Sequence, residues 1–498
     1  MIEEIKPSAL LQKFFPFAPT SGQLAFFELM DDFLTNDERE RDCFLLKGYA
    51  GTGKTTIIGA LIKTTKQFGY KTVLLAPTGR AAKVMSNYSK KMAVTIHKKI
   101  YRQIADAYTG NLVFERQRNL NEFTLYMVDE ASMIGDDADF GSRGLLNDLV
   151  AYVYEGVGNK LVLVGDTAQL PPIGKIISPA LDAGYLVANF NLSLSELELV
   201  EVMRQGQQSG ILYNATGLRN VLIDNRFDAP NEDAVQWSAV DVKKEVVPKK
   251  PTELSIKLTT KGFKDIYKMT GERLEDGLRY AYNKYGRENV IVVTRSNKTA
   301  VNYNKYIRQT INFAEEELDA SDLLMIVRNN YSVLDDDAPA GFLANGDFVE
   351  VLKIRNQEEM HGLRFATVTL RLVDFENQPQ FDAKIILDTL HSASPALSAN
   401  ENKRLYESVF QDYVHLKSKK DRADAIRKDP YMNALQVKYA YALTCHKSQG
   451  GQWGAVFVDQ GYLPAEQINQ DFLRWLYTGI TRATEEVFLM NFNADFFE

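Results

Sequence analysis

Short apolar runs bounded by glycine, proline and polar clusters alternate along this chain with longer stretches whose apolar residues recur every three or four positions. The runs Phe44 to Leu46, Thr72 to Ala76, Leu125 to Ser132 and Lys160 to Asp166 read as buried strands. Segments of helical period, among them Thr55 to Thr65 and Ala81 to Lys90, lie between them. Strands alternating with helices predict a parallel sheet, because each strand needs a crossover to return in the same direction. Upstream, Thr20-Ser21-Gly22-Gln23 leads into a helix over Leu24 to Leu34, with Thr20 or Ser21 as its cap. Between the second and third strands, Tyr101 to Tyr108 and Leu112 to Arg118 flank Thr109-Gly110-Asn111, which predicts a hairpin inserted at about 101–123.

The stretch 224–260, rich in Asp, Asn, Pro and Lys, reads as a boundary between domains. A second α/β unit follows: Phe263 to Tyr285 reads as largely helical, Asn289 to Thr294 as a strand and Lys298 to Phe313 as a helix. Asp322 to Arg328, Phe348 to Ile354 and Ala366 to Leu372 then alternate around the turn Asn345-Gly346-Asp347, the pattern of a small β-barrel. Residues 400–429 form an amphipathic helical excursion whose cations are interleaved with acids, either a solvated face or a contact to nucleic acid. The α/β pattern resumes at Val437 to Thr444 and ends with the strand Glu486 to Asn491. The predicted domains are 1–223, a linker 224–260, a second unit made of 261–321 and 435–498, and an insertion 322–434.

Length and composition narrow the class. With 498 residues there is room for about three domains. No apolar run approaches the roughly 20 residues that span a bilayer, and the N-terminus Met1-Ile2-Glu3-Glu4-Ile5-Lys6 has no signal or transit pattern, so no membrane role and a cytoplasmic location are expected. The two cysteines, Cys43 and Cys445, each adjoin an apolar run and read as reduced core residues. A net charge of −7 argues against a cationic surface; nucleic-acid binding then requires a local groove with positive charge and stacking surfaces.

The chemistry is declared by Gly48-Tyr49-Ala50-Gly51-Thr52-Gly53-Lys54-Thr55-Thr56, which matches G-x-x-x-x-G-K-[ST] between a strand and a helix. Loop amides at Gly48, Gly51 and Gly53 and the helix N-terminus at Thr55 and Thr56 suit phosphates; Lys54 reaches the outer ones, and Thr55 offers a hydroxyl to Mg²⁺. The third strand ends in Asp129 and Glu130, where ligands bind in open α/β sheets. Phosphoryl transfer needs a metal and a positioned water, roles assigned to Asp129 and Glu130 respectively. Gln169, in the loop after the fourth strand, is either a γ-phosphate neighbour or a surface amide.

Together with Ala76-Pro77-Thr78-Gly79-Arg80, Thr95-Ile96-His97, Gly165-Asp166-Thr167-Ala168-Gln169-Leu170-Pro171-Pro172, Met203-Arg204, Thr444-Cys445-His446-Lys447-Ser448-Gln449-Gly450 and Tyr477-Thr478-Gly479-Ile480-Thr481-Arg482-Ala483, these motifs form an ordered set. The chain thereby resembles superfamily 1 helicases, within them the RecD/Dda-like group. The resemblance implies an α/β fold of two RecA-like domains, with the hairpin inserted in the first and the small β-barrel plus helical excursion in the second, and ATP with Mg²⁺ in the cleft between them. It assigns adenine recognition to Gln23, and places Gln169, Arg204 and Arg482 at the γ-phosphate. It lays single-stranded DNA across Pro77, Thr78, Thr95 and His97 of the first domain and Thr294, Arg295, Asn297, Thr444, His446 and Lys447 of the second. The hairpin becomes a strand-separating wedge at DNA forks, with Tyr108 or Phe114 at its tip, and movement is expected five-prime to three-prime, by a monomer. Two other readings stay open: a strand-stimulated ATPase or translocase within a larger repair assembly, and a nucleotide switch that does not unwind. RNA also stays open as a substrate, since no motif reads the 2′-hydroxyl.

Overall fold

The computed structural model describes residues 5–36, 38–105, 112–137, 144–203, 208–224, 256–330, 332–334, 342–373, 379–464 and 467–498. Its first sheet is wholly parallel, with strands in the order Ala93–Thr95, Lys71–Ala76, Thr124–Val128, Lys160–Gly165, Asp42–Gly48 and Ser193–Leu199. The central strands are buried on both faces, which is why they read as continuous apolar runs. Ser193–Leu199 escapes a reading by period because it pairs on one side only and alternates Glu with apolar residues. Helices cover both faces, Ser21–Thr35, Lys54–Thr65 and Gly79–Ser89 on one and Leu145–Val153 and Ala183–Phe190 on the other. Thr20 caps the helix Ser21–Thr35 in a reciprocal capping box with Gln23. The predicted hairpin is present as the antiparallel strands Tyr101–Ala105 and Leu112–Arg116.

The second sheet is also parallel, in the order Ala442–Thr444, Val290–Thr294, Trp453–Asp459, Ala483–Met490 and Ile266–Met269. Within the stretch expected to be helical from Phe263, the structure instead forms the edge strand Ile266–Met269 before the helix Leu274–Tyr285. Helix Gly210–Asp224 contributes Ile211, Ala215, Leu218 and Leu222 to the second unit's core, so the packing boundary falls before this helix, not at residue 223. Residues 225–255 of the expected linker lie outside the described residues.

The insertion is a closed barrel of Leu323–Ile326, Phe348–Met360, Leu363–Leu372, Gln380–Ile386 and Leu435–Tyr439. Leu435–Tyr439, expected to reopen the α/β unit, closes the barrel against Leu323–Ile326 and Gln380–Ile386, and the second sheet resumes only at Ala442. The excursion is two helices, Ala399–Asp412 and Lys419–Lys428, packed on the barrel through Leu405, Val409 and Ile426. Arg80, from the first unit, lies 4.2 Å from the rings of Phe348 in the barrel and Trp453 in the second sheet, a cation–π contact joining all three parts. Gly79 abuts the barrel turn so closely that a Cβ would sit 1.8 Å from Asp347 Oδ1. Both cysteines are buried and free, and among the described residues no helix is long and apolar enough to cross a membrane.

Candidate nucleotide cleft and strand groove

The phosphate loop leaves Gly48 at the end of its strand and turns through two left-handed glycines, Gly51 (φ 76°) and Gly53 (φ 86°), into the helix Lys54–Thr65. A side chain at 53 would be strained by φ and would meet Gln23 Nε2 at 2.5 Å. Lys54 Nζ donates to the carbonyls of Gly48 (2.6 Å) and Tyr49 (2.9 Å), so its ammonium is held inside the loop that phosphates would enter. Thr55 is exposed beside it and Thr56 half-buried. Gln23 is fully buried; its Oε1 accepts from Thr20 N and its Nε2 donates to Thr52 O at 2.9 Å, so in this structure it braces the loop.

Across the sheet, Asp129 Oδ1 accepts from Glu130 N (2.8 Å) and Oδ2 from the Tyr88 hydroxyl (2.8 Å). Glu130 adopts a left-handed backbone (φ 54°), a conformation that costs a non-glycine residue of order 1–3 kcal/mol and concentrates at functional sites. Burial raises its carboxyl pKa, opposed by Arg482 and Lys54 and reinforced by Asp129 and Asp166. Arg482, from the second unit, is 4% exposed and brings Nη1 to 3.8 Å from Glu130 Oε1, while its Nε donates to Thr478 O. Gln169 is buried, with its Oε1 lacking a partner among the described residues, an arrangement that a ligand would satisfy. Arg204 lies outside the described residues.

Residues that sequence reasoning passed over complete the cleft. Tyr477, fully buried, donates to Asp166 Oδ2 (2.6 Å) and accepts from Ala50 N of the phosphate loop (2.8 Å), joining three motifs with one hydroxyl. Thr478 Oγ1 accepts from Leu170 N, and Gln449 Nε2 donates to Leu170 O. All three stand inside the quoted motifs, but only tertiary contact reveals their partners; Tyr88 carried no signal in the sequence.

A cavity of about 1260 Å³ runs between the units, the barrel and the helical excursion. Pro77, Thr78, Thr95 and His97 line it from the first unit and His446 and Lys447 from the second, so six of the ten expected strand contacts face one space. Its lining holds the cations Arg328, Lys403, Arg427 and Lys447 and the carboxylate Asp137, with Lys403 and Arg427 also paired to Glu407 and Asp424 on their own helices. Burial lowers the pKa of His97 and His446 and brings Lys447 down to about 8. Thr78 and Thr95 each cap a helix, accepting from Ala81 N and Lys98 N. Thr294, Arg295, Asn297 and Thr444 do not line this cavity. Thr294 is fully buried, its hydroxyl donating to the Ser296 and Leu443 carbonyls, and Arg295 is exposed and bonded to Gln467. Tyr108 and the Phe114 side chain lie outside the described residues; the Phe114 backbone pairs with Gln103.

Residues 28–228 match the AAA domain model and residues 439–490 the UvrD-like helicase C-terminal domain model. Over 174 residues the chain is 30% identical to the ATP-dependent RecD2 DNA helicase of Deinococcus radiodurans, matching 35% of this chain and 21% of that protein. It is 32% identical over 182 residues to the ATP-dependent DNA helicase dda of Enterobacteria phage T4, matching 35% of this chain and 37% of that protein. These matches are consistent with the resemblance to superfamily 1 helicases of the RecD/Dda-like group. An uncharacterized protein of Acanthamoeba polyphaga mimivirus is 23% identical across 95% of this chain and 99% of its own length. The chain spans about a fifth of the RecD2 helicase and just over a third of the Dda helicase.

Proposed function

We propose that this chain is an ATP-dependent DNA helicase that moves along single-stranded DNA, five-prime to three-prime, and separates duplex strands. The observation that carries this reading is the junction of the units: Arg482 of the second reaches Glu130 of the first, and a groove with cationic lining crosses both units. Nucleotide and strand would thus be gripped by the same two bodies, so closing one site changes the other.

The cleft fits ATP. Two left-handed glycines and a helix N-terminus present amides, Lys54 donates to two loop carbonyls that it can give up, and the Gln169 side-chain oxygen has no partner among the described residues. The Thr55 hydroxyl and the Asp129 carboxylate are hard oxygen donors suited to Mg²⁺, which when bound would neutralise charge on the phosphates. Lys54 exchanges the carbonyls of Gly48 and Tyr49 for phosphate oxygens. Glu130, its pKa raised by burial, orients water and takes its proton. Arg482 meets the charge that develops on the transferred group. Gln23, braced by Thr20 and Thr52, retains one amide hydrogen for the adenine edge. In the groove, Thr78, Thr95, Lys447, Arg328 and Arg427 contact backbone while His97 and His446 offer ring faces, a sequence-tolerant grip. The hairpin beyond Tyr101, carrying Tyr108 and Phe114, serves as the wedge, against stacking of roughly 1.4 kcal/mol per base-pair step.

The test is a partial duplex with a five-prime single-stranded tail. ATP-dependent strand release is expected, together with ATPase stimulated by single-stranded DNA; stimulated ATPase without release leaves a translocase, and ATPase indifferent to DNA overturns the reading. Release from three-prime tails only would overturn the polarity, and equal stimulation by RNA would overturn the preference for DNA.

A further inference from the structure

The segment Asp166 to Leu170 belongs to the first unit by connectivity and to the second by contact. It leaves the strand Lys160–Gly165, which is central in the first sheet between Thr124–Val128 and Asp42–Gly48. Three and five residues later, Ala168 and Leu170 are buried, with Tyr49 of the phosphate loop, in the hydrophobic core that the second unit forms. The second unit also holds the segment's polar groups. Thr478 Oγ1 accepts from Leu170 N at 2.9 Å, Gln449 Nε2 donates to Leu170 O at 2.7 Å, and Tyr477 donates to Asp166 Oδ2 at 2.6 Å. Gln169 sits between the clamped residues, yet its own side-chain oxygen has no partner among the described residues. Gln449 closes the turn after the short helix Cys445–Ser448, and with His446 and Lys447 it lines the strand groove.

We infer that Thr478 and Gln449 are positioning residues for Gln169: by clamping both sides of the Leu170 peptide, they make Gln169 travel with the unit that grips the strand. This rests on the functional reading above. The physical argument is that a buried peptide whose N–H and C=O are both taken by one body moves with that body. Leaving either group buried and unpaired costs more than the net worth of the bond itself. The γ-phosphate neighbour is then advanced toward the phosphate loop or withdrawn from it by the turn 446–449, and strand occupancy reaches the cleft through two hydrogen bonds. Reciprocity follows: whatever the strand does to nucleotide affinity, the nucleotide does to strand affinity by the same factor.

The experiment compares Thr478→Val, which keeps the volume and removes the acceptor, with Gln449→Met and the unaltered chain. ATPase is measured against ATP with and without oligo-dT, and oligo-dT affinity is measured with and without a non-hydrolysable ATP analogue. For Thr478→Val, the strand-stimulated kcat falls at least tenfold, by a larger factor than strand-free turnover, and the ratio of the two oligo-dT affinities moves toward one. Gln449→Met also moves that ratio toward one. A loss of general packing would instead raise KM and lower the melting temperature. If the unaltered chain shows no stimulation, the functional reading fails. If it is stimulated and both variants keep full stimulation and the full affinity ratio, that reading stands and this inference is overturned. Should Thr478→Val not fold, Gln449→Met decides alone, since its side chain meets the groove and its replacement buries no new polar group.

Discussion

The nucleotide cleft and the strand groove lie between the same units but are built on opposite plans. The cleft gathers three carboxylates, Asp129, Glu130 and Asp166, against Lys54 and Arg482 in a buried space, with Glu130 on a strained backbone and Asp129 held by two hydrogen bonds. The groove has four cations to one carboxylate, and two of its hydroxyls already serve as helix caps. Under the proposed function, one site moves charge during a reaction and needs fixed dipoles, while the other holds a repeating polyanion and needs only sign and spacing. The difference teaches that altering a cleft residue should act on rate and altering a groove residue on affinity and its salt dependence.

The largest break in that contrast is expected at Arg482. Arg482→Ala should lower DNA-stimulated kcat by about 10³-fold with oligo-dT affinity nearly unchanged; a parallel loss of affinity would mean that the residue is structural. Glu130→Gln comes next, with turnover reduced by roughly 10²-fold or more. Because burial raises the Glu130 pKa, its base form is lost on acidification at a higher pH than for an ordinary carboxylate, so the unaltered chain should show an acidic limb in kcat that Glu130→Gln abolishes. Lys54→Ala separates the sites in equilibrium terms: ATP binding measured by calorimetry should weaken by more than tenfold, with strand affinity intact. The smallest effect belongs to Lys447. With a pKa of about 8 it is charged at pH 7 and neutral at pH 9, so log affinity against log salt should flatten by about 0.7 between those pH values. Lys447→Ala should show the flatter slope at both.

Sequence made the cleft legible further than the groove. Gly48 to Thr55, Asp129, Glu130 and Arg482 stand in motifs whose chemistry demands those residue types, and the structure brings them together. Four expected groove residues, Thr294, Arg295, Asn297 and Thr444, do not line the cavity, because a motif specifies neighbours along the chain but not which face of a loop is open. The inter-unit bonds of Tyr477, Thr478 and Gln449 were hidden for the same reason: each partner is roughly 280 or more positions away. In the fold, the strands buried on both faces were read directly. Ile266–Met269 was not, since only Ile266 of its four residues is buried. Gln380–Ile386 and the barrel role of Leu435–Tyr439 depend on closure across the insertion, which no local period encodes.

Only Ala440 and Tyr441 separate the last barrel strand from the second sheet. Asn304 binds Tyr441 N and both backbone groups of Ala442, while the Tyr441 hydroxyl accepts from Leu323 N and donates to Asp322, itself paired with buried Arg308. Such a seam has no slack for a hinge. The barrel is therefore fixed to the second sheet, and any rotation between the units would be enlarged, in proportion to distance, into a longer displacement at the tips of the helical excursion.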